Sequence, residues 1–284
     1  MGKENLRRAE SQSVGSLPRA EYAMLMMGGI GDFLHYLVRL PSFLKEKRLR
    51  PSELHIFVES VVPDQAEAIF TTAFPQLSFT FLSPAIHWVN TFPLLTPSRK
   101  VERVNRPAYR YVASLGFREM TDWFLPFLCS EYEFDPSPLF RVIAGASKRN
   151  YPYVIISTCD KGFIWWPTRE LCDEVQKLVA RTHRAVYVGT PNEYLPGANE
   201  LESLPNVLEA LALSFHADLF IGTDTGLATI RELTCKKNIY CISRFWFEEL
   251  MVRYGYFNSE MRRKTKSDFV FNPDDLLNQL SAGG

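Results

Sequence analysis

The sequence lacks any run of about 18 apolar residues, so nothing in it reads as a bilayer span. It also lacks a prevailing charge. Its 32 basic residues meet 32 acidic ones, and no global field favours nucleic acid or a membrane surface. Five cysteines (Cys129, Cys159, Cys172, Cys235 and Cys241) contain no C-x-x-C pair. That excludes the usual zinc frameworks, and an odd count suits a reducing compartment better than a disulfide scaffold. Cys172, Cys235 and Cys241 fall in apolar segments and read as small hydrophobes. Residues 1–20 have no apolar stretch of the kind a signal peptide needs; they read as a disordered leader, and the expected setting is cytoplasmic. No low-complexity segment or short-period repeat is present.

Apolar content, by contrast, is ample. Hydrophobic residues make up 46% of the 284 and aromatics 13%, enough for a packed core in one long domain or two ordinary ones. Apolar runs alternate with helical spacing along the chain. Strands are expected at 23–27, 54–60, 77–82, 153–157, 185–189, 218–222 and 238–242, and helices at 63–73, 109–115, 120–128, 168–181, 206–215, 226–234 and 274–280. Such alternation implies parallel sheets covered on both faces. The small, polar and basic stretch "AGASKRN" (144–150) marks the expected boundary. This predicts an N-terminal Rossmann-like domain over 21–147 and a C-terminal one over 148–284, facing a common cleft.

Three turns carry chemistry. In "MLMMGGIGDFLHYLVRLP" (24–41), a strand runs into Gly28, Gly29 and Gly31 and then Asp32, with helical spacing beyond. A complete G-x-G-x-x-G would need glycine where Leu34 stands, and no Gly-Lys-Ser/Thr follows, so neither a dinucleotide nor a Walker loop fits. Asp32 is open to two readings, a helix cap or a carboxylate facing a ligand. In "FHADLFIGTDTGLATIRELTC" (215–235), Asp224 and Thr225 can bind sugar hydroxyls, while N–H groups from Gly226 onward can face a diphosphate. In "IISTCDKGFIWWPTRE" (155–170), Ser157, Thr158 and Lys161 leave a strand end together, as ligands of phosphate oxygens would. Basic clusters at Lys45, Lys47, Arg48 and Arg50 and at Arg262, Arg263, Lys264 and Lys266 read most plainly as solvated surface. Peripheral contact with the cytoplasmic membrane face is the membrane reading they allow, and there is no clear nucleic-acid signal.

Together the three motifs resemble glycosyltransferase family 9, the heptosyltransferase-like enzymes of the GT-B fold. The resemblance runs over roughly residues 22–245. It rests on Gly29-Ile30-Gly31-Asp32 with Pro41, on Ser157, Thr158, Lys161 and Trp166-Pro167, and on the segment from Ala217 to Ala228. The family histidine after the D-T-G turn is Thr229 here, and the N-terminal domain is shorter than in typical members. The resemblance implies inverting transfer from a nucleotide-diphosphate sugar, with ADP-heptose favoured, to a glycan or glycolipid hydroxyl such as a lipopolysaccharide core. It implies Asp32 as the base. It implies donor binding by Ser157, Thr158, Lys161, Gly189, Asp224, Thr225, Gly226 and Thr229, with no metal and no cofactor. A non-catalytic nucleotide- or sugar-binding protein and an NAD(P)-binding oxidoreductase are the rival expectations.

Overall fold

The computed structural model describes residues 20–60, 62–82, 107–123, 132–145, 149–157, 169–188, 206–223, 225–244, 247–248 and 267–282. The chain divides into two compact units, Met1–Pro138 and Leu139–Gly284. The division falls earlier than the expected 147/148 boundary, because most of helix Ser137–Ile143 travels with the second unit.

In the first unit, strands β1 (Tyr22–Met27), β2 (Leu54–Glu59), β3 (Ser78–Leu82) and β4 (Glu119–Trp123) form one sheet in the order β3-β2-β1-β4. Every pairing is parallel, with Leu25 opposite Phe57 and Leu25 opposite Asp122 on the other side. A strand flanked on both sides and covered on both faces is buried along its whole length, which is why β1 and β2 are largely apolar and show no alternation. The helices are α1 (Ile30–Leu37), α2 (Leu40–Glu46), α3 (Pro63–Ala73), α4 (Pro107–Ser114) and α5 (Ser137–Ile143), the last at the junction of the units. Phe33 of α1 meets Phe70 of α3 with ring centres 5.3 Å apart, and Phe70 reaches Phe79 of β3 at 5.5 Å. On the opposite face Ala23, Leu25, Phe57 and Leu82 pack with Val112 of α4.

The helix expected over 120–128 is a correction: Glu119–Trp123 is an edge strand, and 124–128 lie outside the described residues. β1 needs a neighbour on its free side, and the parallel register from Tyr22–Glu119 to Met26–Trp123 outweighs local helical spacing. All but the last residue of the expected leader and the whole loop region 84–106 also lie outside the described residues, as does the second basic cluster.

The second unit repeats the plan. Strands β5 (Tyr153–Ser157), β6 (Arg184–Val188), β7 (Leu219–Gly222), β8 (Asn238–Cys241) and β9 (Asp268–Val270) are all parallel, in the order β6-β5-β7-β8-β9. Helices α6 (Arg169–Val179) and α9 (Pro273–Ala282) lay Val175, Val179 and Leu276 against Val154, Ile156, Ile221 and Ile239. Helices α7 (Val207–His216) and α8 (Gly226–Leu233) pack on each other. Cys241 is buried as expected of a small hydrophobe, whereas Cys235 is exposed at the end of α8 with φ of 60°. The helix has stopped one residue earlier, so the apolar spacing no longer governs position 235.

Strand order reverses once beside the first strand of each unit, between β2 and β4 around β1 and between β6 and β7 around β5. In open parallel sheets, ligands bind at the carboxyl edge at such a reversal. β1 ends there on Met27, with Gly28 next, β5 on Ser157 and β7 on Gly222.

Candidate functional site

In the first unit the turn is built around one carboxylate. Gly28 N–H donates to Glu59 O at 3.3 Å, carrying the β1–β2 ladder one step beyond the strand. A side chain at Gly28 would place its Cβ 2.4 Å from Asp32 Cβ and 2.8 Å from Asp32 Oδ2, so only glycine fits. Gly29 is the N-cap, in extended conformation, and Asp32 is the third residue of α1. Its Oδ2 accepts the Gly29 N–H at 2.8 Å. A capping contact of this kind satisfies an N–H the helix itself cannot, and a negative charge in the first turn is favoured there. Gly31, expected in the turn, lies within that first helical turn instead, because the helix begins at Ile30. Tyr36 ties the helix back by donating its hydroxyl to Met27 O at 2.8 Å.

Glu59 was not singled out from the sequence. It closes β2 opposite Met27, is 2% exposed, and puts a second acidic residue on the carboxyl edge beside the glycine turn. An acidic residue ending the apolar run "LHIFVE" was the available signal.

In the second unit the turn after β7 opens a helix. Gly222 packs so closely on β5 that a Cβ would lie 2.9 Å from Ser157 O and 3.0 Å from Ser157 Cβ. Ser157 is itself 1% exposed, and Thr223, which follows Gly222, is also buried. Thr225 is the N-cap of α8, with Oγ1 accepting Ala228 N–H at 3.5 Å. The N–H groups of Gly226 and Leu227 at the helix start have no intrahelical acceptor, which makes this end attractive to an anion. Thr229 is buried, and both its N–H and its hydroxyl donate to Thr225 O, at 2.9 and 3.0 Å.

The structure thus brings Ser157, Thr225, Gly226 and Thr229 to one strand-order reversal, and Gly28, Gly29 and Asp32 to another. Thr158, Lys161, Gly189 and Asp224 lie outside the described residues, as does Trp165-Trp166-Pro167.

A buried polar cluster went unseen in the sequence. Arg231, spaced along α8 as a surface residue would be, is 0% exposed. Its guanidinium donates to Asn238 Oδ1 and to the carbonyls of Ser214, Ala217, Asp218 and Lys237, and burial pushes its pKa down to about 10. In the first unit, burial is the larger cause that pushes His35 down to about 3, with the Arg39 charge adding to it. Burial pushes His55 to about 4. Among the described residues no group of three His, Cys, Asp or Glu could hold a metal ion, and no helix is long and apolar enough to cross a membrane.

No protein-family model and no curated protein sequence matches the chain. Solved structures do. The E. coli ADP-heptose lipopolysaccharide heptosyltransferase II matches with a TM-score of 0.52 and 10% identity, over 92% of this chain and 98% of that one. The E. coli heptosyltransferase WaaC with ADP matches with a TM-score of 0.51 and 9% identity, over 93% and 100%. The iron-containing dodecameric glycosyltransferase TibC from enterotoxigenic E. coli matches with a TM-score of 0.46 and 16% identity over 79% of this chain, which spans 59% of that protein's length. The likeness to the two heptosyltransferases, over nearly the whole of both chains, shows the GT-B fold.

Proposed function

We propose that this chain is an inverting, metal-independent glycosyltransferase of heptosyltransferase type. It moves a sugar from a nucleotide-diphosphate donor, ADP-heptose first among candidates, to a hydroxyl of a glycan or glycolipid. One observation carries the reading: on a GT-B fold, the Gly-Asp turn and the Thr225–Gly226 helix start each meet the strand-order reversal of their own sheet. A fold alone does not define chemistry, so the residues must supply it.

Asp32 is the base for the acceptor hydroxyl. With Oδ2 held by Gly29 N–H, the carboxylate keeps one orientation, as a general base requires. The start of α8 at Thr225–Gly226 receives the diphosphate, and its N–H groups stabilise the charge that grows as the sugar leaves. Lys161 and Thr158 add charge and a hydroxyl to the same phosphates, Gly189 lines the donor, and Asp224 binds the sugar. Ser157 acts from beneath, since its buried side chain backs Gly222. The chemistry calls for neither metal nor cofactor.

The test is titration with ADP, UDP, GDP, CDP and dTDP, then turnover of the matching sugar nucleotides with and without EDTA. Lys161→Ala is expected to weaken the diphosphate by about 1.5–3 kcal/mol and to spare the nucleoside. Equal loss of both ligands, or metal-reversible inactivation, would overturn the corresponding part. The cap role of Asp32 favours one second reading, a sugar-nucleotide-binding protein without catalysis. Binding of the donor with no single-turnover transfer would select it.

A further inference from the structure

Among the described residues two arginines are buried, one in each unit, and their surroundings differ. Arg231 is 0% exposed, and its Nε and both terminal nitrogens donate to Asn238 Oδ1 and to the carbonyls of Ser214, Ala217, Asp218 and Lys237. Each edge of that guanidinium is taken, as a buried charge with a structural role requires. Arg39 is 2% exposed, yet the hydrogen bond its guanidinium makes is from Nη1 to His35 O at 3.0 Å, one turn back along the chain. Its Nε is buried and has no acceptor. Arg50 and Arg118, at the surface, each meet a carboxylate, of Glu53 and Glu21. Among the described residues no acidic side chain forms an ion pair with Arg39.

The open edge has a definite shape. With Nη1 on His35 O, what remains is the side formed by Nε and Nη2. Their parallel N–H bonds match two oxygens on one centre, as a carboxylate or a phosphate presents them. A buried cation left without an anion is costly, and an apolar side chain would fill the same space without that cost. An oxyanion seated on the Nε edge removes it. The segment 132–135 is fastened to the chain on either side of Arg39. Asp135 N–H donates to Val38 O at 2.8 Å, Glu133 N–H to Ser42 Oγ at 3.1 Å, and the Tyr132 ring meets Phe43 edge-on at 5.6 Å. Local opening of so few contacts gives a small ion its way in.

We infer that Arg39 is an anion-binding site of the first unit, taking one phosphate or carboxylate group on its Nε–Nη2 edge. The inference uses neither glycine turn and stands independently of the sugar-transfer reading.

Thermal unfolding of the full chain in sodium chloride, acetate or phosphate at one ionic strength tests it. In wild type, phosphate or acetate is expected to raise the melting temperature by about 2–4 °C over chloride, levelling off as the site fills. The more effective of the two tells which group the site takes. Arg39→Met puts an apolar chain of similar length in the same space and is expected to lose the anion-dependent rise. Arg39→Lys keeps the charge but not the fork, and is expected to lose most of it. A rise equal in wild type and variants, one that never levels off, or none in wild type overturns the inference. Should neither variant fold, amide exchange of wild type decides. Slowing over 35–43 on adding the anion supports the site, and unchanged exchange there overturns it.

Discussion

The two sheets follow one plan, yet their turns are closed by opposite chemistry. After β1, a carboxylate inside the helix reaches back to the N-cap, with Asp32 Oδ2 on Gly29 N–H. After β7, the N-cap reaches forward through a neutral hydroxyl, Thr225 Oγ1, to Ala228 N–H. The first arrangement fills a helix start with negative charge. The second leaves one open to negative charge from outside. Under the proposed function a sugar transfer needs a base and an anion receptor, and two strand-turn-helix units that differ at the N-cap and at the third helical residue would supply one each.

Asp32→Asn should break this contrast most severely. Asparagine keeps an oxygen for Gly29 N–H and the same bulk beneath Gly28, but it cannot take a proton. Transfer should fall by about 10²–10⁴-fold, with the melting temperature and nucleotide affinity near wild type. Asp32→Ala should lose the cap as well, at about 0.5–2 kcal/mol of stability. Single-turnover rates and thermal unfolding on the same samples separate the two roles, and near-normal transfer by Asp32→Asn would leave a cap alone.

Glycine substitutions come next and should act differently in each unit. Gly28→Ala must move the Asp32 side chain, because the new Cβ would lie 2.4 Å from Asp32 Cβ. Transfer is expected to drop by about tenfold or more, since small misplacements of a reacting group are costly, while diphosphate binding holds. Gly222→Ala must instead part β7 from Ser157 O, at 2.9 Å. About 1–3 kcal/mol of stability and part of the diphosphate affinity should go with it. If the two variants show the same profile, the turns do not divide the work.

Much of this was legible before the structure. Long apolar runs marked most strands because parallel, doubly covered strands have no polar face to confuse the pattern, as in Leu54–Glu59 and Tyr153–Ser157. β4 and β9 were missed for the converse reason. Both are short and lie at sheet edges, where "EMTDW" and "DFV" need little apolar content and pairing alone defines them. The turn glycines and their polar neighbours were readable because close backbone approach leaves few residue choices. Arg231 and Asn238 were not, since a buried polar residue looks like a surface one until its partners, far along the chain, are known. Two positions singled out from the sequence have local partners that only the structure shows: Gly31 is helical, and Thr229 donates its hydroxyl to Thr225 O.

Acid should separate the units by stability. His35 and His55 are both buried in the first unit, with pKa values pushed to about 3 and about 4 by burial, His35 also by Arg39. No comparably buried histidine occurs among the described residues of the second. In the unfolded chain each titrates near 6.5, so the unfolded state binds more protons as pH falls. Their contribution is complete above pH 6.5 and is lost between there and the folded values. Going from pH 7 to pH 5 should cost the first unit at most about 2 kcal/mol per histidine. Amide exchange followed unit by unit measures this, and His55→Gln should flatten the slope. A fall confined to the second unit would break the assignment.

The smallest expected effect is at Thr229, and it sharpens the comparison because the position serves the receptor turn from inside. Thr229→Val keeps the shape and removes only the hydroxyl that donates to Thr225 O. Thr225 O retains the Thr229 N–H at 2.9 Å, so no carbonyl is stranded. The cost should be about 0.5–1.5 kcal/mol of stability, with diphosphate affinity lowered by less than about fivefold and the rate of the bound complex unchanged. Thr229→His should behave otherwise. At 4% exposure there is no room for an imidazole without moving the first turn of α8, so overpacking of about 1–3 kcal/mol is expected. A gain in transfer rate from Thr229→His would mean that the ring finds a way out toward the donor. Position 229 would then belong to the ligand rather than to the support beneath it.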